Sequence, residues 1–94
     1  MAGYFILHTK WHTLDELDQY QAGAKIALEK HAAEPLVYDV HPEVVEGESN
    51  LQATVVFRFE SVEAAKAWYH SPEYQAVLPI RLRSSEGIAR FVGS

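Results

Sequence analysis

This sequence predicts an α+β fold in which one four-stranded antiparallel sheet carries its helices on one face. Four segments are rich in β-branched and aromatic residues, as strands are. Two further segments repeat apolar residues at helical spacing. The order along the chain is β-α-β-β-α-β, which is typical of the ferredoxin-like arrangement, and the length of 94 residues indicates a single domain over residues 1–94.

The first half of the chain predicts a strand, a helix and a second strand. Residues 3–11, with the run YFILHTKW, predict the first strand, and PLVYDV at 35–40 predicts the second. Thr13 and Glu16 have the spacing of a capping box. We therefore expect a helix over about 14–31, with this stripe at helical spacing: Leu14, Leu17, Gln21, Ala24, Leu28 and His31.

The second half predicts two more strands around a broken helix. The segment EGESN at 46–50 indicates a turn or longer hairpin loop. Residues 51–59 predict the third strand and 87–92 the fourth. Ser61 is expected to cap the second helix, which runs through Tyr69.

Ser71 and Pro72 form a typical helix start, because serine suits the cap and proline the first helical position. We expect the helical piece that begins there to continue to about Ser84. The serines at 61 and 71 are thus explained as caps rather than as nucleophiles.

Strand alternation sorts the side chains of the sheet onto two faces. The apolar face, expected to pack on the helices, comprises Phe5, Leu7, Leu36, Tyr38, Val40, Val55, Phe57, Phe59, Ala89 and Phe91. The other face mixes aliphatic and polar groups, and comprises Tyr4, Ile6, His8, Val37, Asp39, Thr54, Val56, Arg58, Ile88, Arg90 and Val92. The right-handed crossover rule predicts the strand order 4-1-3-2. Because an exposed apolar patch usually marks a contact surface, we expect a homodimer packed sheet against sheet around a barrel-like interior.

Four polar residues on that second face are candidate site residues. The predicted strand order places Arg90, His8, Arg58 and Asp39 on neighbouring strands. In a functional interpretation, His8 is an acid/base group and Arg58 stabilises a carboxylate or enolate, with Asp39 and Arg90 as ligand-binding neighbours. The alternative is a cross-strand ion pair between Arg58 and Asp39, a common structural feature.

Other candidates lie in the loop and on the helices. Glu46 can place a carboxylate at the mouth of a pocket, or it is a solvated neighbour of a turn glycine. Tyr69 and Tyr74 can donate hydroxyls into a cavity between helices and sheet, or be core residues with satisfied hydroxyls. Arg81 and Arg83 suit the end of a helix.

Composition and motif content narrow the classes of partner. Thirteen acidic and eight scattered basic residues give a net charge of −5, so no nucleic-acid partner is expected. The chain has no cysteine, which fits a cytoplasmic location, and its N-terminus resembles neither a signal peptide nor a membrane span. The five histidines lack a metal-ligand spacing and no Gly-rich phosphate loop occurs, so neither a metal nor a bound cofactor is expected.

Over nearly its whole length the chain resembles domain of unknown function family 1330 of the dimeric α+β barrel superfamily. The residues that carry the resemblance are Glu46-Gly47, Phe59-Glu60-Ser61, Ala64-Ala65, Ala67-Trp68-Tyr69, Ser71-Pro72-Glu73-Tyr74-Gln75, Leu78-Pro79, Arg81, Gly87 and Gly93. The resemblance implies a ferredoxin-like fold and a dimer, and it ranks Arg81 above Arg83. It implies no single reaction, since the superfamily includes cofactor-free monooxygenases, dehalogenases, isomerase-like enzymes and haem-handling proteins.

The chain departs from the family pattern just before the second strand. Family members often carry Gly-Gly-Arg there, whereas this sequence has Ala32-Ala33-Glu34. If relatives use that arginine for a ligand, this chain offers a carboxylate in its place. Shared ligand chemistry is therefore not implied by the resemblance.

Three functions are compatible with these features. The first is an enzyme without a tightly bound cofactor that acts on a small organic acid or ketone, with His8 as acid/base and Arg58, Arg90 or Arg81 as stabilisers. The second is a dimer that binds a metabolite without turnover, and the third is a structural dimer. An anion bound beside His8 and Arg58 would favour the first two, whereas Arg58 fully engaged by Asp39 would favour the third.

Overall fold

The computed structural model describes residues 1–93 as one four-stranded antiparallel sheet with helices against one face. In chain order the elements are β1 Gly3–Trp11, α1 Leu17–Lys30, β2 Glu34–Asp39, β3 Ala53–Phe59, α2 Val62–Tyr69, α3 Pro72–Gln75, α4 Leu78–Ser84 and β4 Ser85–Gly93. The strand order is β2-β3-β1-β4, the predicted order read from the other edge. The predicted α+β, ferredoxin-like fold is confirmed, and no predicted strand bound is wrong by more than two residues.

The central strand β1 shows the predicted alternation most clearly. Its buried and half-buried residues alternate, with Phe5, Leu7 and Thr9 buried and Tyr4, Ile6 and His8 half-buried. Strand β1 is antiparallel to both neighbours, so Ile6 lies opposite Val56 and Arg90, and His8 lies opposite Thr54 and Ile88. The even-numbered residues of β1 therefore belong to the sheet face that no helix covers, which we call the open face.

The edge strand β2 contains an irregularity that the sequence pattern did not reveal. Its pairing with β3 shifts between Pro35 and Val37, so Leu36 is the extra residue of a bulge. The shift places Glu34 opposite Arg58. Leu36 therefore does not take part in the simple alternation that placed it among the helix-facing residues.

The predicted ion pair between Arg58 and Asp39 is wrong. Arg58 Nη1 lies 3.6 Å from Glu34 Oε2 instead. Asp39 lies opposite Thr54, four residues along β3 from Arg58, and its Oδ1 accepts a 2.9 Å hydrogen bond from the His41 amide. The bulge explains the exchange of partners, because it brings the carboxylate at the start of β2 onto the open face beside Arg58.

The helical face of the sheet is closed by an aromatic cluster around Trp68. This side chain has no exposed surface, and its ring centroid lies 4.3 Å from that of Tyr74 and 5.0 Å from that of Phe5. Phe59 is also fully buried against it. Edge and tilted ring contacts of this kind add to the free energy gained from apolar burial.

Helix α1 begins three residues later than the sequence predicted, and the predicted capping box is wrong. Thr13 Oγ1 accepts from the Asp15 amide at 3.3 Å, and Glu16 occupies the N-cap without a capping hydrogen bond from its side chain. The carboxylate of Glu16 instead accepts from Arg83 at 2.7 and 2.9 Å. The Arg83 guanidinium offers the Glu16 carboxylate charge-assisted hydrogen bonds to both oxygens, in place of one bond to a backbone amide.

Both predicted serine caps are confirmed. Ser61 Oγ accepts from the Ala64 amide at 3.0 Å. Ser71 Oγ accepts from the Tyr74 amide at 3.2 Å and donates to the Trp68 carbonyl at 2.7 Å, so one hydroxyl joins the end of α2 to the start of α3.

The helical piece expected up to Ser84 is two helices. Pro79 is the second residue of α4, and α3 ends at Gln75. Proline has no amide hydrogen to donate to the carbonyl four residues earlier, and its ring clashes with that carbonyl. A continuous helix through Pro79 is therefore unfavourable, and the chain restarts at Leu78. Within residues 1–93, no helix is long and apolar enough to cross a membrane.

Candidate functional site

A large cavity lies between α1 and the sheet, and we call it the α1 cavity. Helix α1 packs mainly on α3 and α4 rather than on the strands, which leaves a space of about 970 Å³ beneath it. Most of its wall is apolar and includes Leu7, Val55 and Phe57 from the sheet and Leu17 and Leu28 from α1. A concave apolar space of this size suits a small organic molecule.

Three polar side chains meet at the α3–α4 side of this cavity. The hydroxyl oxygens of Tyr20 and Tyr74 are 2.7 Å apart, and Arg81 Nε donates to the Tyr74 hydroxyl at 3.3 Å. Tyr20 and Arg81 line the cavity, whereas Tyr74 is fully buried behind them. We call these three residues the phenol–guanidinium cluster.

The guanidinium of Arg81 is a buried cation that pairs with no carboxylate of residues 1–93. Its residue is 5% exposed, and none of the ion pairs formed within residues 1–93 includes it. Burial disfavours the charged form, but the phenol oxygens of Tyr74 and Tyr20 outweigh burial and raise the pKa of Arg81 above its ordinary value. Arg81 is thus a fixed positive charge in apolar surroundings.

Tyr20 is held in its neutral form. Burial, together with the adjacent phenol of Tyr74, raises the pKa of Tyr20 well above its ordinary value, and the nearby guanidinium of Arg81 offsets only part of this. At neutral pH its hydroxyl therefore retains its proton and can act as a hydrogen-bond donor, but not as a base.

A hydrogen bond spans the cavity between α1 and the edge strand. Gln21 Nε2 donates to the Tyr38 hydroxyl at 3.0 Å, and both side chains line the cavity. Tyr38 is exposed, which places this contact at the rim rather than in the interior. A ligand beneath α1 would therefore have polar groups within the lining at this rim contact as well as at the phenol–guanidinium cluster.

A second and smaller hollow lies on the other side of the sheet, and we call it the open-face depression. It has a volume of about 450 Å³ and is lined by His8, Thr54 and Ile88 from the strands and by the loop that contains Glu46. His8 Nδ1 lies 3.0 Å from Thr54 Oγ1, which fixes the imidazole on this face. The structure thus brings His8 and Glu46 to the same depression.

The remaining predicted open-face candidates do not join them. Arg58 lies beside Tyr4 and Glu34, four residues along β3 from Thr54, which is the residue opposite His8. Arg90 lies opposite Ile6 rather than His8. Asp39 lies opposite Thr54 but on the edge strand. Register, which the element order alone did not specify, separates the two arginines from the histidine.

The helix-side candidates fare differently. Tyr74 and Arg81 are in the phenol–guanidinium cluster, whereas the ring of Tyr69 packs against Phe91 with centroids 5.6 Å apart. The sequence reasoning missed Tyr20 altogether. A signal was present, because Tyr20 lies three residues after Leu17 and therefore on the inward stripe of α1.

The family model described as domain of unknown function (DUF1330) matches residues 2–93. The comparison with curated proteins found no match.

Solved structures share this fold at low identity. RPA0582, a protein of unknown function from Rhodopseudomonas palustris, superposes with a TM-score of 0.81 at 9% identity over 99% of this chain and 82% of that one. A dimeric ferredoxin-like protein of unknown function from Thermobifida fusca gives a TM-score of 0.60 at 21% identity over 100% of this chain and 92% of that one. SnoaB, a cofactor-independent oxygenase from Streptomyces nogalater, gives a TM-score of 0.65 at 10% identity over 99% of this chain and 92% of that one. At these identities the likeness shows the fold alone.

Proposed function

We propose that this chain, which belongs to the DUF1330 family of domains of unknown function, binds a small organic acid or ketone in the α1 cavity without a tightly bound cofactor. The observation that carries the proposal is the buried guanidinium of Arg81 at the wall of an otherwise largely apolar space. The two phenols favour the charged form of Arg81 but supply no carboxylate, so an anionic or strongly polar ligand group would provide the counter-charge. The apolar wall would receive the rest of the ligand.

Catalysis is one form of this function, and binding without turnover is the other. SnoaB, which shares this fold, is a cofactor-independent oxygenase, so the fold is compatible with chemistry that needs no cofactor. In a catalytic form, Arg81 would stabilise negative charge that develops on a carbonyl oxygen of the ligand. The alternative is a homodimer that holds a ligand, or only forms a structural unit, without reaction.

A homodimer through the open face is part of the proposal. Val37 and Ile88 are 41% and 47% exposed on that face, and Val44 and Val45 of the adjoining loop are also exposed. Exposed aliphatic surface of this extent is typical of a contact surface, and the similar Thermobifida fusca protein is dimeric. The lack of cysteine supports a cytoplasmic location for the dimer.

The open-face depression supports a second candidate site. His8 and Glu46 line the same hollow, so an acid/base pair is available there. In the sheet-to-sheet dimer this hollow would be covered by the partner copy. The two candidates lie on opposite faces of the sheet and can be tested separately.

The test compares the binding of benzoate and acetophenone to the wild-type protein and three variants by titration calorimetry. Arg81→Met keeps the apolar stem and removes the charge, and Arg83→Met is its matched control on the same helix. We expect Arg81→Met to weaken benzoate binding about 10–100-fold, the usual effect of losing a hydrogen bond to a charged group. Arg83→Met is expected to bind as the wild type does, because Arg83 is exposed and pairs with Glu16.

His8→Ala assigns the site to a face. If His8→Ala abolishes binding while Arg81→Met leaves it intact, the ligand occupies the open-face depression. Failure of the wild-type protein to bind either probe at millimolar concentration would contradict the proposed function. Far-ultraviolet circular dichroism of each variant verifies that it is folded.

A further inference from the structure

The hydrogen bonds of the phenol–guanidinium cluster determine which of its hydrogens points into the α1 cavity. Arg81 can only donate, so the Tyr74 oxygen is the acceptor of the 3.3 Å contact with Arg81 Nε. Tyr74 has no exposed surface, so its own hydrogen needs an acceptor within the protein. Among residues 1–93, the acceptor within reach is the Tyr20 oxygen, 2.7 Å away.

The direction of that bond leaves the hydrogen of Tyr20 free. If Tyr74 donates to Tyr20, then the Tyr20 hydroxyl has its own hydrogen available for another acceptor. Tyr20 lines the cavity, as does Arg81. Arg81 has five N–H hydrogens; Nε donates to Tyr74 and the guanidinium also interacts with the Tyr20 hydroxyl, so further N–H groups remain for another acceptor. The cavity therefore presents one neutral and one charged donor at the same end.

We infer that Tyr20 is the second donor of the site, that Tyr74 is the residue that positions it, and that Tyr20 and Arg81 together hold the carboxylate of a monoanionic ligand with an apolar body. This inference rests on the proposed function and names its ligand class. A carboxylate has two oxygens with several acceptor positions, which match two separate donors.

The charge of the ligand distinguishes a monoanionic carboxylate from a neutral ketone and from a dianion. A ketone would accept the hydrogen bonds but would leave the buried positive charge of Arg81 uncompensated. A dianion such as a phosphate ester would bring a second negative charge to the one fully buried cation of the lining, since the other lining cations, Lys10 and Lys25, are half-buried and exposed. One negative charge is the number that the cluster compensates.

The test compares three probes of similar shape: benzoate, its neutral counterpart benzamide, and the dianion phthalate. The wild-type protein is expected to bind benzoate at least about tenfold more tightly than benzamide or phthalate, the effect of one hydrogen-bonded charge. Tyr20→Phe is expected to weaken benzoate binding about tenfold and to weaken benzamide binding less, because a hydrogen bond to a charged acceptor is stronger than one to a neutral carbonyl. Tyr4→Phe, which removes a hydroxyl from the open face, is the matched control.

A second readout separates positioning by Tyr74 from a general loss of structure. With tyrosines labelled at the ring carbon that bears the hydroxyl, benzoate is expected to shift the Tyr20 resonance and not that of Tyr4. In Tyr74→Phe the Tyr20 shift is expected to shrink while the protein stays folded, because the bond that orients the Tyr20 hydroxyl is gone. An unchanged Tyr20 shift in Tyr74→Phe would overturn the positioning role.

The outcomes distinguish this inference from the proposed function. If benzamide or acetophenone binds as tightly as benzoate, the carboxylate class is wrong and the proposed function stands. If Tyr20→Phe binds benzoate as the wild type does, the role of Tyr20 is wrong. If no probe binds to the wild-type protein, the proposed function itself fails.

Discussion

The two faces of the sheet are made from the same strands and differ in how their polar groups are compensated. On the helical face, Arg81 is buried beside two phenols, and no carboxylate within residues 1–93 pairs with it. On the open face, Arg58 is exposed and has Glu34 beside it. Arg58 has solvent and a neighbouring carboxylate, whereas Arg81 is buried and forms no ion pair within residues 1–93. An arginine is therefore informative about ligand binding when it is buried without a carboxylate partner.

The apolar side chains of the two faces also differ in whether they are buried within one chain. Trp68, Phe5 and Phe59 are buried within one chain and supply folding free energy to the monomer. Val37 and Ile88 keep a large exposed fraction, so their burial requires a second molecule. One face therefore serves folding and contains the proposed ligand site, and the other offers the surface of the proposed dimer.

The largest effect is a loss of dimer affinity, expected when a charged side chain is introduced on the open face. Val56 lies opposite Ile6 and Val37, so Val56→Asp puts a carboxylate among aliphatic groups of the proposed interface. An unpaired charge buried there costs about 3–5 kcal/mol, which raises the dimer dissociation constant more than about 100-fold. Sedimentation equilibrium measures the dissociation constant. A dimer mass in Val56→Asp equal to that of the wild type would refute assembly through this face.

The next largest effect is a loss of folding stability, expected when a buried side chain on the helical face of β1 is shortened. Leu7 is buried beneath the helices, and Leu7→Ala is expected to lower the free energy of unfolding by about 2–4 kcal/mol. Urea denaturation measures it, and introducing the change into the Val56→Asp protein removes any contribution from dimerisation. Ile6→Ala, on the other face of β1, is the matched control. An equal loss from both variants would contradict the division of labour between the faces.

A smaller change, a gain in folding stability, is expected from a substitution between α1 and β2. Ala32 has φ of +53° directly after α1, and the Ala33 amide closes that helix end on the Leu28 carbonyl at 3.0 Å. Ala32→Gly relieves this left-handed conformation and is expected to stabilise the fold by about 0.5–1 kcal/mol.

Two checks accompany that substitution. Ala33→Gly is the matched control, and it is expected to destabilise the fold because Ala33 has no positive φ to relieve. Benzoate affinity and dimer mass are expected to stay unchanged in Ala32→Gly, since Ala32 lies on neither face of the sheet. A loss of stability in Ala32→Gly would refute this explanation.

Local signals in the sequence were enough for the elements and for most of their faces. Serine at 61 and the Ser71-Pro72 pair act within three residues, so their caps follow from neighbouring positions. Strand alternation has a fixed period of two, so the separation of Ile6 from Leu7 also follows without a structure. The order of elements then led to the correct sheet topology.

The long-range partners of charged side chains could not be predicted from helix or strand periodicity. Glu16 bonds to Arg83, 67 residues away, although its spacing from Thr13 fits a capping box. A single bulge at Leu36 gave Arg58 the partner Glu34. Such choices depend on register and on which side chains arrive together, and the period of a strand or helix does not encode either.

The sequence by itself therefore determined the α+β class, the strand order, the serine caps and the division of the sheet into a buried face and an aliphatic open face. Only the tertiary structure decided where the unmatched charge lies. Tyr20 and Tyr74 are 54 residues apart in the chain, yet their hydroxyls touch. Burial of Arg81 arises from the packing of α1 on α3 and α4 away from the strands, and that packing is a property of the whole fold.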